Sequence, residues 1–227
     1  MIFEMINNFK LYFKMFRSKG FYLPYKYFVE NHLFDLKRNI NTHSLVEKKQ
    51  FNKKIENLDN GVHYACSWES TIVLSLKIAI SEISSNLNNF SFYDIGCGKG
   101  KVVIVWKEFL LKNNLNNSIF GLDYSSELTE IAKQNYFKIF NQHGNFIHSD
   151  VSNVNFKKNK YYLFYLYNPF DEKILSIFLR KIKFCNFLLI YNVPLHHNLF
   201  LKDKKINLVY QKIGKHLNEN FNIYKNY

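Results

Sequence analysis

Cysteine is scarce in this chain: Cys66, Cys97 and Cys185 stand far apart. An odd number without a C-x-x-C pair indicates neither a disulfide framework nor a zinc site, so no metal is expected and a reducing, cytoplasmic setting fits. No uninterrupted apolar run reaches ~18 residues, so no membrane-spanning helix is expected. The first residues lack a basic start, a long apolar centre and a small-residue cleavage site, so a secretory signal is not expected either. Acids are outnumbered, 18 Asp and Glu against 31 Lys and Arg, giving a net charge of +13. Such a surface attracts nucleic acid, anionic lipid or acidic substrates. The lysines are scattered, however. The densest groups are Lys48-Lys49 with Lys53-Lys54, Lys157-Lys158 with Lys160, and Lys202 with Lys204-Lys205. No long polybasic tail exists, and nucleic acid is therefore not the favoured partner. Internal repeats are absent.

What is present suits a globular enzyme-sized chain. The 227 residues make one domain or one domain with an appendage, and 47% apolar residues can fill a core without staples. The abundance of Asn, Lys, Ile, Phe and Tyr looks like the imprint of an AT-rich genome, which would account for both the aromatic excess and the charge.

Residues Met1 to about Phe16 predict an amphipathic helix. Ile2, Phe3, Ile6, Phe9 and Phe13 share a face, and Lys10, Lys14 and Arg17 lie outside it. That helix suits peripheral contact with a membrane surface, or packing on its own domain or on a second copy in a homodimer. Gly20 and Pro24 then break it, and a second helical piece is expected from Tyr25 to about Leu36. Helix potential returns around Leu45 to Leu58, and Asn60-Gly61 signals a turn. A helix beginning near Trp68, with Ser67, Ser70 or Thr71 as cap, carries a core stripe of Ile72, Val73, Leu76, Ile80 and Ile83. Residues 1–60 thus read as a helical extension and residues 61–227 as the main domain.

From Phe90 the chain alternates. Strands are expected at Phe90–Asp94, Ser118–Asp123, Asn145–His148, Tyr161–Tyr167 and Phe187–Tyr191. Helices are expected to about Lys112, from Ser125 or Ser126 to about Asn141, and over Glu172–Ile182. Two further strands, Ile206–Gln211 and Phe221–Tyr224, flank a turn at Gly214. This predicts an α/β fold: a doubly wound, mainly parallel sheet of about seven strands with an antiparallel C-terminal edge.

The stretch Asp94-Ile95-Gly96-Cys97-Gly98-Lys99-Gly100-Lys101 falls between the first strand and its helix. Glycines let the backbone turn tightly and come close to a ligand, and the helix start offers free N–H groups and a positive dipole end. A dinucleotide fingerprint reads G-x-G-x-x-G. Here the spacing is G-x-G-x-G, Lys101 takes the place of the third dinucleotide glycine, and Asp94 precedes the loop. A carboxylate there suits a ligand with a cationic end. This arrangement resembles motif I of the Rossmann-like class I S-adenosylmethionine (SAM) methyltransferases. The resemblance implies SAM as cofactor, with Asp94, Gly96, Gly98 and Gly100 around its methionine end. Asp123, closing the second strand with Tyr124 beside it, would accept the ribose hydroxyls. Asp150 with the Val151 N–H, after the third strand, would meet the adenine. Cys97 is read as packing.

Asn168-Pro169-Phe170-Asp171 closes the fourth strand and resembles the N/D-P-P-Y/F motif IV of amino-group methyltransferases, with one proline missing. Asn168, which also counts as cofactor-binding, would aim a nucleophile ~3 Å from the methyl carbon. Pro169 would stiffen the backbone and Phe170 would wall the pocket. The run Tyr165-Leu166-Tyr167-Asn168-Pro169-Phe170 is similar to the Y-L-Y-N-P-F signature of a group of bacterial class I methyltransferases. That resemblance covers about residues 35–200. It includes Phe34-Asp35, Thr42, Gly61-Val62-His63-Tyr64, and Tyr191 with Pro194-Leu195-His196. Two positions depart from it: Asp171 stands where the group has Gly, and Val193 where it has Asn. The segment around Tyr64 resembles the SAM-capping loop of the non-SET histone lysine methyltransferases, which implies that Tyr64 closes over the methionine end. His196, after the fifth strand, is a candidate base facing the substrate.

The expectation is a SAM-dependent methyltransferase acting on an unidentified acceptor, with a protein or other amine nitrogen as one class. A SAM-binding protein without turnover and a methyltransferase that uses its basic surface on RNA stay open.

Overall fold

The computed structural model describes residues 2–44 and 64–227, with the side chains described from residue 11 onward. The expected helix over 45–58, the Asn60-Gly61 turn, the lysines between 48 and 54, and the side chains of the Ile2–Phe9 stripe lie outside the described residues.

Each of the five parallel strands carries aromatic side chains, and the two longest, Tyr161–Tyr167 and Asn186–Asn192, are almost continuously apolar or aromatic, as expected for strands covered on both faces. The five are β1 (Phe90–Ile95), β2 (Ile119–Asp123), β3 (Asn145–His148), β4 (Tyr161–Tyr167) and β5 (Asn186–Asn192). With β6 (Asn207–Lys212) and β7 (Phe221–Lys225) they form one sheet in the order β3-β2-β1-β4-β5-β7-β6. β7 runs antiparallel to β5, and β6 antiparallel to β7. Winding reverses between β1 and β4, which pair in parallel with Asp94 opposite Tyr165. That switch point is where open α/β sheets bind ligands.

Alternation along β4 divides the core. Leu163 and Tyr165 face one layer, with Phe92, Leu188, Ile190 and the buried faces of α4 (Glu69–Ile83) and α5 (Lys101–Lys112). Tyr162, Phe164 and Leu166 face the other, against Ile174, Leu175, Phe178 and Ile182 of α7 (Glu172–Ile182). A fully buried side chain of this size contributes ~1.5–3 kcal/mol, so the two layers hold the switch point rigidly. α6 (Ser126–Phe140) starts where Ser125 Oγ accepts Leu128 N–H, as its sequence predicts. A short α8 (Asn198–Leu201) follows β5.

The N-terminal region departs from expectation. α1 (Ile2–Lys19) runs past Phe16 and stops at Gly20, whose φ of +59° is open to glycine. Pro24 breaks nothing. It lies in the first turn of α2 (Tyr22–Tyr27), where the missing N–H is not needed. The single helix expected from Tyr25 is instead α2, a π-helical turn (Phe28–Leu33) and α3 (Phe34–Arg38). The cap of α4 is also different. None of Ser67, Ser70 and Thr71 caps it through a side chain; the Ser70 N–H is taken by the buried Glu30 carboxylate at 3.0 Å. The wide π turn carries both Glu30 and Asn31 inward.

Candidate active site

β1 ends in the glycine loop, and hydrogen bonds from Gly96 N and Cys97 N to Leu122 O fasten the loop to β2. Gly100, at φ +85°, starts α5. A Cβ on Gly96 would fall 2.6 Å from Pro169 Cβ, and one on Gly98 would fall 2.0 Å from Tyr64 Cε2. The loop is therefore pressed between Pro169 and Tyr64, with no room for side chains at Gly96 and Gly98. Cys97 is buried and packs against Gly121.

Two adjoining cavities open at the carboxyl ends of the strands. The larger, about 290 Å³, is walled chiefly by Tyr64, Ala65, Leu128, Tyr167, Asn168, Pro169, Val193 and Leu195. The smaller, about 30 Å³, is walled by Ser149, Asp150, Val151, Phe170 and Ile174 among others. Gly96, Asp123 and Tyr124 line both.

Asp123 Oδ2 accepts Gly98 N–H at 2.8 Å, and Oδ1 accepts Ser125 N–H at 2.9 Å. Each oxygen keeps a lone pair for a further donor. Burial pushes this carboxyl up to about 6, against the pull of those backbone N–H groups and of His148. Asp94 is more deeply buried, and its Oδ2 has no hydrogen-bond partner. Burial and the neighbouring Asp123 charge raise its carboxyl well above the ordinary range. A buried carboxyl whose ionisation is opposed by burial and by a neighbouring carboxylate favours a ligand carrying positive charge.

The remaining residues of the sequence reading divide between wall and frame. Tyr64, Gly96, Asp123, Tyr124, Asp150, Val151, Asn168, Pro169 and Phe170 line the cavities. Asp94, Gly98 and Gly100 line neither cavity. Phe170 walls the smaller cavity beside Asp150, not the larger one beside Asn168. Asp150 Oδ1 also accepts Ser152 N–H at 2.6 Å, capping a 3-10 turn. Asp171 accepts Ile174 N–H at 3.0 Å and caps α7, which explains an acid at that place. His196, the candidate base, lines neither cavity. Its Nδ1 lies 3.5 Å from the Glu172 carboxylate.

Tyr64 is held from the N-terminal side. Its hydroxyl donates to Thr42 O at 2.6 Å. Thr42 is in turn held by the buried Asp35 carboxylate through N–H and Oγ1, each at 2.6 Å. Lys99 stands over the Tyr64 ring at 5.3 Å and donates to Ser44 O. Lys101, buried, donates to Glu30 O at 2.5 Å and Asn31 Oδ1 at 3.1 Å. The extension thus forms part of the site's frame. Sequence reasoning missed these contacts, and it quoted Tyr167, Tyr191 and Leu195 within the resemblance without assigning them a role. Their available signal was position, at or just beyond the carboxyl ends of β4 and β5.

Comparison with known proteins bears on the fold. Residues 92–183 match the family model of a methyltransferase domain. No curated protein matches the chain significantly. Among solved structures, magnesium protoporphyrin IX methyltransferase from Synechocystis, with SAM bound, is similar at a TM-score of 0.51 and 14% identity over 88% of this chain and 92% of that one. A Listeria monocytogenes protein assigned to the class I SAM-dependent methyltransferases gives 0.51 and 13% over 70% of this chain and 59% of its own. TrmN from Thermus thermophilus gives 0.50 and 12% over 70% and 52%. At these identities the likeness establishes the fold: a Rossmann-like sheet of the kind seen in class I methyltransferases.

Among the described residues no group of three or more His, Cys, Asp or Glu could hold a metal ion, and no helix is long and apolar enough to cross a membrane.

Proposed function

We propose that the chain is a SAM-dependent methyltransferase that delivers the methyl group to an amine nitrogen. The observation that carries this reading is the pair of buried carboxyls at the glycine loop, one with an orphaned oxygen and one at the junction of two cavities. Asp94 would balance the cationic methionine end, and Asp123 would accept the ribose hydroxyls through its spare lone pairs. Asp150 and Val151 would hold the adenine in the smaller cavity, against Phe170. Tyr64 would close the methionine end over Gly98.

When bound, the cofactor supplies a methyl group already activated by its sulfonium. The chain's work is then to align the acceptor and exclude water. Asn168 Oδ1 has a second lone pair with which to accept the acceptor's N–H and aim the nitrogen. Pro169, seated against Gly96, fixes the distance between that amide and the loop.

Isothermal titration with SAM and, separately, with NAD tests the cofactor. Micromolar SAM binding that Asp94→Ala and Asp123→Ala each abolish supports the reading; preferential NAD binding would sink it. Radiolabelled SAM incubated with cell extract then separates turnover from mere binding. With the label on the transferable methyl group, label that stays entirely on intact SAM would make the chain a binding protein.

A further inference from the structure

We infer that α1 and α2 form a docking surface for an anionic lipid bilayer. Phe13 and Phe16 stand one turn apart on α1, and both are exposed. The rings of Phe16 and Phe21 meet at 4.8 Å, which carries the stripe across the Gly20 turn. Tyr25 and Phe28 follow Phe21 at helical spacing on one face. Phe21 is 81% exposed and Tyr25 67% exposed. Rings of this size are ordinarily buried for much of their area. These helices are not short of packing: on the inner side, Tyr12 meets Tyr27 and His32 at 5.9 Å each.

Charge decides what covers the stripe. From Leu11 to Val29 the sequence has four basic residues and no acid. Lys26 is neutralised by Glu30 at 3.0 Å. Lys14, Arg17 and Lys19 are exposed beside the rings. A second copy would set these cations against themselves across a two-fold interface. Single-stranded nucleic acid favours rings set in a basic groove, whereas these lie on the outer faces of helices. A bilayer meets both requirements. Aromatic rings settle at headgroup level, and anionic headgroups draw the flanking cations.

α2 is also linked to a wall of the larger cavity. Tyr22 donates to Glu219 at 2.5 Å, and the neighbouring Asn218 accepts from Tyr167, a wall of that cavity, at 2.6 Å. Taken with the methyltransferase reading, on which this clause rests, docking would present the cavity to an acceptor at the membrane surface.

Co-sedimentation of the full chain with vesicles tests the inference. Phosphatidylcholine vesicles containing phosphatidylglycerol are expected to pellet the protein, increasingly as salt falls, and phosphatidylcholine alone is not. The pair Phe16→Ser and Phe21→Ser is expected to weaken partition about tenfold or more. Lys14→Glu and Arg17→Glu are each expected to weaken it by about fivefold or more. All four positions are exposed, and unchanged thermal midpoints and SAM titrations check that the variants fold. Failure to pellet with either vesicle, or partition insensitive to the aromatic pair, overturns the inference. So does a dimer in solution that Phe21→Ser dissociates, or RNA binding that Phe21→Ser abolishes without vesicle binding. Absence of SAM binding in the same samples would sink the methyltransferase reading and leave the vesicle result standing.

Discussion

The Tyr191 hydroxyl donates to Asn168 Oδ1 at 2.7 Å, from β5 to the residue that follows β4. It accepts in turn from His196 N–H at 3.4 Å. Asn168 needs such a brace because its φ of +38° places it outside ordinary strand geometry. Burial holds the Tyr191 phenol well above its usual range, so it stays a donor across neutral pH. Tyr191→Phe keeps the ring and removes the donor, which is worth ~0.5–1.5 kcal/mol. The expected result is a kcat lower by about threefold to tenfold with SAM affinity unchanged. A matching loss of SAM affinity would mean that the hydroxyl shapes the cavity instead of aiming the amide.

The coupled carboxyls predict proton release on ligand binding. Burial pushes the Asp123 carboxyl up to about 6, and burial with the neighbouring Asp123 charge raises Asp94 well above the ordinary carboxylate range. Near pH 6 a cationic or diol ligand that needs carboxylates must therefore displace protons. SAM affinity should strengthen as pH rises through about 6, and titrations in two buffers of different ionisation enthalpy should give different heats. For folding the sign is opposite. A raised acid pKa means that Asp123 lowers stability progressively between the unfolded value near 4 and about 6, and by a constant amount above. Identical binding heats in both buffers would show that the carboxyls are already ionised before binding.

Gly98 and Tyr64 should behave as one unit. Gly98→Ala demands a left-handed backbone, and its Cβ would fall 2.0 Å from the Tyr64 ring. The variant should lose SAM binding and melt several degrees lower. In a Tyr64→Ala background the collision disappears and the backbone cost of ~1 kcal/mol remains. A thermal double-mutant cycle should show coupling of ~1 kcal/mol or more. Strict additivity would mean that Tyr64 does not rest on the loop.

These pairs mark where the sequence was legible. Strand and helix spans from Phe90 onward follow from local alternation and apolar runs, and the glycine loop and its acids follow from spacing. The Glu30 carboxylate at the start of α4, the Lys101 contacts and the Tyr191 brace join residues 23 to 71 positions apart. No local pattern encodes such pairings. The aromatic exposure of α1 and α2 was visible only in part, because periodicity shows a stripe and not which side faces the core.

Lys101 illustrates the point. Its presence where a dinucleotide loop has glycine served to set the cofactor class, yet the structure gives it a second task of tying α5 to the π turn. Lys101→Met keeps the stem and leaves two buried acceptors without a donor, at ~1–3 kcal/mol each. The melting midpoint should fall by at least about 4 °C, and amide exchange should quicken first in residues 28–38. An unchanged midpoint would mean that water replaces the ammonium group at no cost.

Val193 should be the easiest place to gain stability. It sits at φ +53°, a conformation that β-branched residues rarely adopt, and is held there by its N–H on Asn220 O at 2.9 Å. The strain is worth ~1–2 kcal/mol, and asparagine tolerates the left-handed region far better. Val193→Asn should therefore raise the melting midpoint by about 2–4 °C with SAM affinity intact. Val193 lines the larger cavity, however. A stabilised variant that binds SAM normally and turns over poorly would mark the valine methyls as an acceptor contact, kept in spite of the strain. A lower midpoint would show instead that the apolar wall contributes more than the backbone strain costs.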